Sequence, residues 1–170
     1  MYIRTQQQEG INFENEIHEL LVTTKLKILR EIDVVNKYGK TNKGIDHLLY
    51  DDNNNTIICI QTKFTSSKPQ LQQINHFIQC VENISSIDNK KCIGIYFTKL
   101  PLTSTAYEAF SNKNNKSNNY YLQITIDNKH VDESDFNKKY ILQYNLREYL
   151  YIHYHIYCYD YDGCIIMNYL

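Results

Sequence analysis

Two short motifs in this sequence carry side chains whose types and spacing could do chemistry. Gly44-Ile45-Asp46 is followed, fifteen positions after the aspartate, by Gln61-Thr62-Lys63 at the end of an apolar run over residues 57–60. An acid and an amide oxygen suit Mg²⁺, which takes oxygen ligands and commonly one or two carboxylates. Beside a scissile phosphate, this ion would polarise a phosphoryl oxygen and activate water, and a lysine would offset the developing charge. The alternative interpretation is a surface acid and a strand-end lysine that extends into solvent.

The register of a predicted hairpin decides whether these side chains meet. If Asp51 pairs with Thr56 across a run of turn-forming residues, the register places Asp46 directly opposite Gln61. Directly opposed residues share a face, with Cβ atoms about 4.5–5.5 Å apart. Side chains alternate along a strand, so Lys63 lies on the same face as Gln61. A register shifted by one residue would place Asp46 on the other face and remove the site.

The amide of Gln61 stands where a second carboxylate would be usual, so the site carries less negative charge and needs another acid. Glu14 in the first predicted helix is the candidate. The predicted metal ligands are therefore Asp46, Gln61 and Glu14, with Mn²⁺ as an alternative to Mg²⁺. Lys63 completes the predicted catalytic set.

The elements that would hold these residues alternate between helices and strands. The apolar residues recur at helical spacing in some segments and in continuous runs in others. The sequence predicts, in order, a helix over 10–30, strands over 31–35, 44–50 and 56–64, a helix over 69–85, a strand over 91–98, a helix over 104–111, a low-complexity loop over 111–119 and a strand over 120–126. The short turn at 51–55 implies an antiparallel pair and the helical connections imply parallel neighbours, so we expect an α/β fold with a mixed sheet flanked by helices.

Length and composition indicate one ordinary globular domain. The chain has 170 residues, of which 42% are hydrophobic and 22% are charged. The net charge of -1 argues against a purely charge-driven grip on nucleic acid. Five cysteines with no CxxC spacing, of which three lie in apolar runs and are predicted to be small core residues, indicate a reducing compartment, which is the cytoplasm or, for a viral gene, the nucleus or virion. We find neither a signal-peptide pattern nor an apolar stretch long enough to span a bilayer.

The tail of the chain is rich in tyrosine. Over residues 149–161, Tyr and His alternate with apolar residues, which predicts a strand, and Asp162-Gly163 predicts a hairpin turn. We expect a core domain over 1–126 and a C-terminal extension over 127–170 packed on it. The aromatic strand could stack bases, form a homodimer interface or pack on the core of its own chain. The His and Cys residues of the tail lack the spacing of a compact Zn²⁺ site.

When the flanks are included, the sequence resembles a family of nucleases. Residues 10–21 follow the GxxFExxIxxLL pattern of the helix that opens Mrr-like restriction-endonuclease domains, which belong to the PD-(D/E)xK superfamily. The GxD and QxK motifs follow in the same order, and the resemblance covers residues 10–100. The resemblance implies an αβββαβ core and a Mg²⁺-dependent DNA endonuclease.

Matched residue by residue, the resemblance makes Glu14 the acid of the first helix, Asp46 the metal-binding aspartate and Lys63 the catalytic lysine. Gln61 stands in the glutamate position, a departure that occurs in the Mrr-like branch, and Ile45 replaces the proline that commonly precedes the aspartate. In the next helix, residues 73–77 weakly resemble the QxxxY element of exonuclease-type members, with Phe in place of Tyr.

The sequence therefore predicts a Mg²⁺-dependent DNA endonuclease that serves restriction, defence or DNA repair. A second hypothesis is a catalytically inactive nuclease-fold protein with a DNA-binding, structural or virion role, which the neutral Gln61 and the low net charge favour. DNA is the expected partner of the enzyme, and a homodimer through the tyrosine-rich tail would suit cleavage of two antiparallel strands.

Overall fold

The fold is a five-stranded mixed sheet with helices on both faces. In this computed structural model, the structure describes residues 2–125 and the side chains of residues 7–124. The elements are α1 (Tyr2–Val22), β1 (Lys27–Arg30), α2 (Glu31–Tyr38), a 3₁₀ turn (Lys40–Asn42), β2 (His47–Asp51), β3 (Thr56–Lys63), α3 (Leu71–Asp88), β4 (Lys91–Thr98), α4 (Ser104–Asn114) and β5 (Tyr120–Thr125). The predicted domain boundary at 126, the C-terminal extension and its tyrosine-rich hairpin lie outside the described residues.

The strands follow one another across the sheet in chain order. β1, β2 and β3 are antiparallel neighbours, whereas β3, β4 and β5 are parallel because α3 and α4 return the chain to the same edge. The predicted mixed α/β sheet is thus confirmed. The order helix, three strands, helix, strand is that of the expected αβββαβ core, with α2 inserted between β1 and β2.

The sheet separates two hydrophobic cores. α1 covers one face through Phe13, Ile17, Leu20 and Leu21, all buried as their helical spacing predicts. Helices α2, α3 and α4 cover the other face. Strand β3 is apolar at successive positions because it contributes to both cores, and its residues 57–60 are all inaccessible to solvent.

The first helix ends eight residues before the predicted boundary, and it begins earlier, at Tyr2. The hydroxyls of Thr23 and Thr24 each donate a 2.6 Å hydrogen bond to a carbonyl three residues back, and Lys25 has a φ of 59°. This left-handed residue cannot continue an α-helix, so the chain turns back into β1. The predicted helix over 10–30 was therefore wrong at its C-terminal end.

The predicted strand over 31–35 was also wrong, because these residues begin helix α2. The β-branched residues of the segment 31–35 favour a strand. The acidic first turn favours a helix instead: the N–H of Arg30 donates to Asp33 Oδ2 at 3.3 Å, and acids stabilise a helix N-terminus. Val34 and Tyr38, four residues apart, then pack into the core from one helix face.

The remaining predictions differ little from the structure. Helix α4 continues to Asn114 into the predicted loop, while β4 has the predicted bounds. Cys59, Cys80 and Cys92 are buried free thiols, as expected. Among the described helices, none is long and apolar enough to cross a bilayer.

Candidate functional site

Asp46 lies at the start of β2, where the ladder with β3 is interrupted. Asp51 pairs with Thr56, as predicted, and the same register extends to His47 opposite Ile60. The N–H of Asp46, however, also donates to the carbonyl of Ile60 at 2.9 Å. Two consecutive residues thus face one residue of β3, which is the arrangement of a β-bulge. A bulge redirects a side chain, and it turns Asp46 across the end of β3.

One carboxylate oxygen of Asp46 makes all three of its hydrogen bonds to β3. Oδ2 accepts from Gln61 Nε2 at 2.9 Å, from the Thr62 backbone N–H at 2.6 Å and from Thr62 Oγ1 at 2.7 Å. Gln61 and Thr62 are successive residues and point to opposite faces of the strand. The carboxylate therefore sits at the end of the sheet between its two faces, and the structure brings Asp46 and Gln61 together.

Gly44 sets the path of the backbone that leads into Asp46. Its φ is +144°, and a Cβ at this position would lie 3.1 Å from His76 Nε2 and 3.5 Å from Gln61 Oε1. His76 Nε2 also lies 2.9 Å from the carbonyl oxygen of Lys43, a hydrogen bond that ties this segment to helix α3. A side chain at position 44 would therefore strain the backbone and push the His76 ring away by a few tenths of an ångström, whereas its distance to Gln61 is that of an ordinary contact.

A pocket of about 440 Å³ opens where the ends of β2, β3 and β4 meet helix α3. Asp46, Gln61 and Lys63 all line it, so three of the four predicted site residues share one cavity. The other lining residues are Glu31, Lys43, Gly44, Gln72, Gln73, His76, Phe77 and Tyr96. The lining of the pocket thus combines acids, amides and lysines with aromatic rings.

The environment of Asp46 disfavours its charged form. Burial raises the pKa of Asp46, and the hydrogen bonds from Thr62 offset this only in part. The negative charges of Glu14 and Glu31 raise it further, and the resulting pKa is about 6. The carboxylate is therefore charged at neutral pH, but it is held among other acids, and a bound cation would stabilise this group.

Glu14 lies apart from the pocket, on the face of the sheet that α1 covers. Its Oε1 is 3.9 Å from Arg30 Nη2, and burial raises the pKa of Glu14 while Arg30 lowers it. The acid that lines the pocket is Glu31, at the first position of α2. Sequence reasoning missed Glu31 because it assigned that segment to a strand.

Tyr96 is a second lining residue that the sequence did not single out. It lies next to Gln61 in the parallel ladder between β3 and β4, and it is 2% exposed. Burial, together with the charge of Asp46, raises the pKa of Tyr96 to about 12. Its position in a continuous apolar run made it look like a core residue.

Two residues of α3 belong to the weak QxxxY resemblance. Gln73 Oε1 accepts the backbone N–H of Gln70 at 3.0 Å and so caps the helix, and Phe77 is buried with its ring edge-on to Tyr96. Both side chains have a structural role, although both also line the pocket.

The pocket contains oxygen atoms of the kinds that bind Mg²⁺ in proteins. Asp46 and Glu31 supply carboxylates and Gln61 an amide, and Mg²⁺ is commonly bound by one or two carboxylates with water in its other positions. Within the described residues, no three or more His, Cys, Asp or Glu side chains are grouped so that they could hold a metal ion, so the amide of Gln61 and water would have to complete the coordination. The amide of Gln61 currently presents Nε2 to Asp46, so its oxygen is the group left for a cation.

This chain shows limited similarity to known proteins. No family model and no curated protein sequence matches this chain. Among solved structures, it is similar to an EndoMS–dsDNA complex, with 16% identity and a TM-score of 0.36 over 50% of this chain and 32% of that one. It is also similar to a repair endonuclease from Pyrococcus abyssi, with 16% identity and a TM-score of 0.35 over 48% and 32%. The chain thus spans about a third of these longer proteins, and likeness at this TM-score does not assign a function.

Proposed function

We propose that this chain is a Mg²⁺-dependent DNA endonuclease that hydrolyses phosphodiester bonds in the pocket at the end of β2 and β3. The observation that carries the proposal is the hydrogen bond between Asp46 and Gln61 in the pocket that Lys63 also lines. A carboxylate and an amide oxygen could hold a divalent cation, a lysine beside them could offset charge on a phosphate, and a perturbed pKa is common at functional sites.

Each residue would have a distinct part. Asp46 and Gln61 would hold the metal with Glu31, and Glu14 would act on it through its charge or as a further ligand. A metal ion held there would polarise a phosphoryl oxygen of the substrate and activate a water. Lys63 would orient that water and offset the negative charge that develops on the phosphate. Thr62 holds the Asp46 carboxylate in place through two hydrogen bonds, so the oxygen is positioned before substrate binds.

Two lysines of the pocket could contact a phosphate group. Lys43 and Lys63 line the cavity beside Asp46 and Glu31, so the charged lining balances until a divalent cation binds, although the net charge of the whole chain is -1. A phosphate-binding protein needs a clustered excess of cations only where it touches the backbone of the nucleic acid. We therefore expect binding to depend on these two lysines and on salt.

Plasmid cleavage tests the proposal. The protein is incubated with supercoiled plasmid in Mg²⁺, in Mn²⁺ and in EDTA, beside Asp46→Ala and Lys63→Ala. The matched controls are Asp52→Ala, whose side chain is 84% exposed, and Lys91→Ala, at the other end of the sheet ladder. We expect metal-dependent nicking in the wild type and both controls and a loss of at least about 100-fold in the two site variants. Cutting that survives in Asp46→Ala would contradict this site.

A second candidate is a nuclease-fold protein that does not cut and has a DNA-binding or structural role. The observation that favours it is that, within the described residues, no three His, Cys, Asp or Glu side chains are grouped to hold a metal ion, and the neutral Gln61 stands beside Asp46 instead of a second acid. This candidate predicts DNA binding, measured by fluorescence anisotropy, without nicking in any metal. A fully active wild-type enzyme would exclude it.

The biological setting stays a proposal. Restriction, defence and DNA repair all use metal-dependent endonucleases, and a homodimer through the tyrosine-rich tail would place two sites on two strands. Light scattering with and without DNA tests the dimer, and a monomer at all concentrations would contradict it.

A further inference from the structure

Tyr96 differs from the other buried tyrosines of the described residues. Four tyrosines are buried: Tyr38, Tyr50, Tyr96 and Tyr121. The hydroxyls of Tyr38 and Tyr50 bond each other at 2.5 Å, and Lys37 Nζ donates to both of them. The hydroxyl of Tyr121 donates to Glu82.

By contrast, no described residue forms a hydrogen bond with the hydroxyl of Tyr96. A buried phenol normally finds a partner, because leaving it without one costs the lost hydration. The Tyr96 side chain, 2% exposed, borders the pocket. Among the described residues, the unpaired polar atoms fully shielded from solvent belong to His18 and His47 and do not include this hydroxyl, so water in the pocket reaches it and a bound molecule could replace that water.

Packing fixes the ring of Tyr96. Phe77 lies edge-on to it at 5.1 Å and 76°, and Phe110 at 6.3 Å and 63°. Tyr96 is also the register neighbour of Gln61 in the parallel ladder, so the two side chains lie on the same face of the sheet. The side chain is thus held on the same face as Gln61 at the border of the pocket, where the charge of Asp46 acts on it.

The chemistry of the hydroxyl defines its partner. A phenol is a hydrogen-bond donor at neutral pH, and Lys43 and Lys63 line the same pocket as Asp46 and Glu31, so a bound divalent cation would leave an excess of positive charge that favours an anion. Phosphate oxygens are charged acceptors, which form the stronger class of hydrogen bond. We propose that the Tyr96 hydroxyl donates a hydrogen bond to a non-bridging phosphate oxygen of the DNA strand bound in this pocket, a proposal that rests on the proposed function.

Thermal stability is the first readout. Tyr96→Phe removes only the hydroxyl, and since that group has no described protein partner, we expect an unchanged or higher melting temperature. Tyr121→Phe removes the bond to Glu82 and should lower the melting temperature. A clear decrease in Tyr96→Phe would show that the hydroxyl bonds within the protein, and it would overturn the proposal.

Cleavage kinetics are the second readout. We expect kcat/KM of Tyr96→Phe to fall about 10- to 100-fold, the usual cost of losing a hydrogen bond to a charged group. The control is Tyr107→Phe, which alters an exposed tyrosine outside the pocket and should cut as the wild type does. A wild-type rate for Tyr96→Phe would overturn the proposal.

The experiment separates failure of the proposal from failure of the nuclease. If the wild-type protein fails to cut DNA with every metal tested, the proposed function fails. Binding alone then tests the role of Tyr96. The probe is a fluorescein-labelled duplex oligonucleotide in Ca²⁺, measured by anisotropy. Weaker binding by Tyr96→Phe than by Tyr107→Phe would support the phosphate contact, and equal affinities would overturn it.

Discussion

Gln61 Nε2 donates a 2.9 Å hydrogen bond to Asp46 Oδ2, and this bond joins the two motifs of the candidate site. The amide neutralises no charge, so Asp46 depends on hydrogen bonds from Gln61 and Thr62 for its stabilisation. A glutamate at this position would place two carboxylates in contact. Compared with a glutamate, Gln61 therefore lowers the affinity of the site for a cation and raises the stability of the site when no cation is bound.

Gln61→Glu should lose stability in EDTA and gain more from Mg²⁺ than the wild type does. The variant removes a donor from a buried carboxylate, which costs about 1–3 kcal/mol. A bound divalent cation would offset the repulsion, and ligand binding raises the melting temperature. Differential scanning fluorimetry at pH 8 with EDTA and with Mg²⁺ measures both effects.

The matched control for this charge is Gln72→Glu. Gln72 lines the same pocket from helix α3, is exposed and makes no described contact with Asp46. We expect a much smaller change in the response to Mg²⁺. Equal responses of the two variants would mean that the metal does not bind at Asp46.

Gly44→Ala should destabilise the protein and slow cleavage. The backbone has a φ of +144°, and the new Cβ would lie 3.1 Å from the ring of His76. Strain of this kind costs about 1–3 kcal/mol. Gly10→Ala is the control with the opposite sign, since nothing lies within 4 Å of its Cβ, and alanine in a helix gains about 0.5–1 kcal/mol. Urea unfolding that gave both variants the same sign would contradict this account of Gly44.

The sequence was sufficient for the parts of the site that depend on local patterns. The turn formers of the hairpin set its register, and the pairing of Asp51 with Thr56 follows from them. The alternation of side chains along β3 likewise places Gln61 and Lys63 on one face. These features follow from side-chain alternation and turn chemistry alone.

Other parts of the site depend on tertiary contacts. The segment that leads into the bulge at Asp46 packs through Gly44 against His76, which lies 32 residues after Gly44 in the chain. Glu31 was missed because Ile32 and Val35 favour a strand locally, whereas helix capping and packing of α2 decide the outcome. Propensity gave the wrong element for residues 31–35, and Glu31 was therefore not considered beside Glu14 as an acid of the pocket.

Glu31→Gln should weaken Mg²⁺ binding more than Glu14→Gln does. Glu31 lines the pocket, whereas Glu14 faces Arg30 on the other side of the sheet. Because both charges raise the pKa of Asp46, either variant should lower that pKa. The concentration of Mg²⁺ that gives half-maximal cleavage, or half-maximal thermal stabilisation, distinguishes the two acids. A larger effect of Glu14→Gln would restore Glu14 as the metal-binding acid.

The buried histidine of β2 makes stability depend on acid. His47 is inaccessible to solvent, stacks on His18 at 5.3 Å, and neither ring nitrogen of His47 has a hydrogen-bond partner. Burial lowers its pKa from 6.5 to about 3, with His18 and Arg30 as further causes. The unfolded chain therefore binds this proton first. Between pH 6.5 and 3, His47 removes up to about 1.4 kcal/mol of stability for each unit that the pH falls.

Asp46 opposes this effect, and comparing two variants separates the contributions. Its pKa rises from 3.8 in the unfolded chain to about 6 in the folded one, so the folded state binds this proton first and gains stability as the pH falls from 6 to 3.8. The two slopes offset each other in that window. Asp46→Asn should therefore become steeply less stable below pH 6, whereas His47→Phe, which keeps the stacked ring, should become more stable there. Urea unfolding at intervals from pH 7 to pH 4 measures these slopes, and parallel curves for both variants would show that neither group is perturbed by folding as its burial requires.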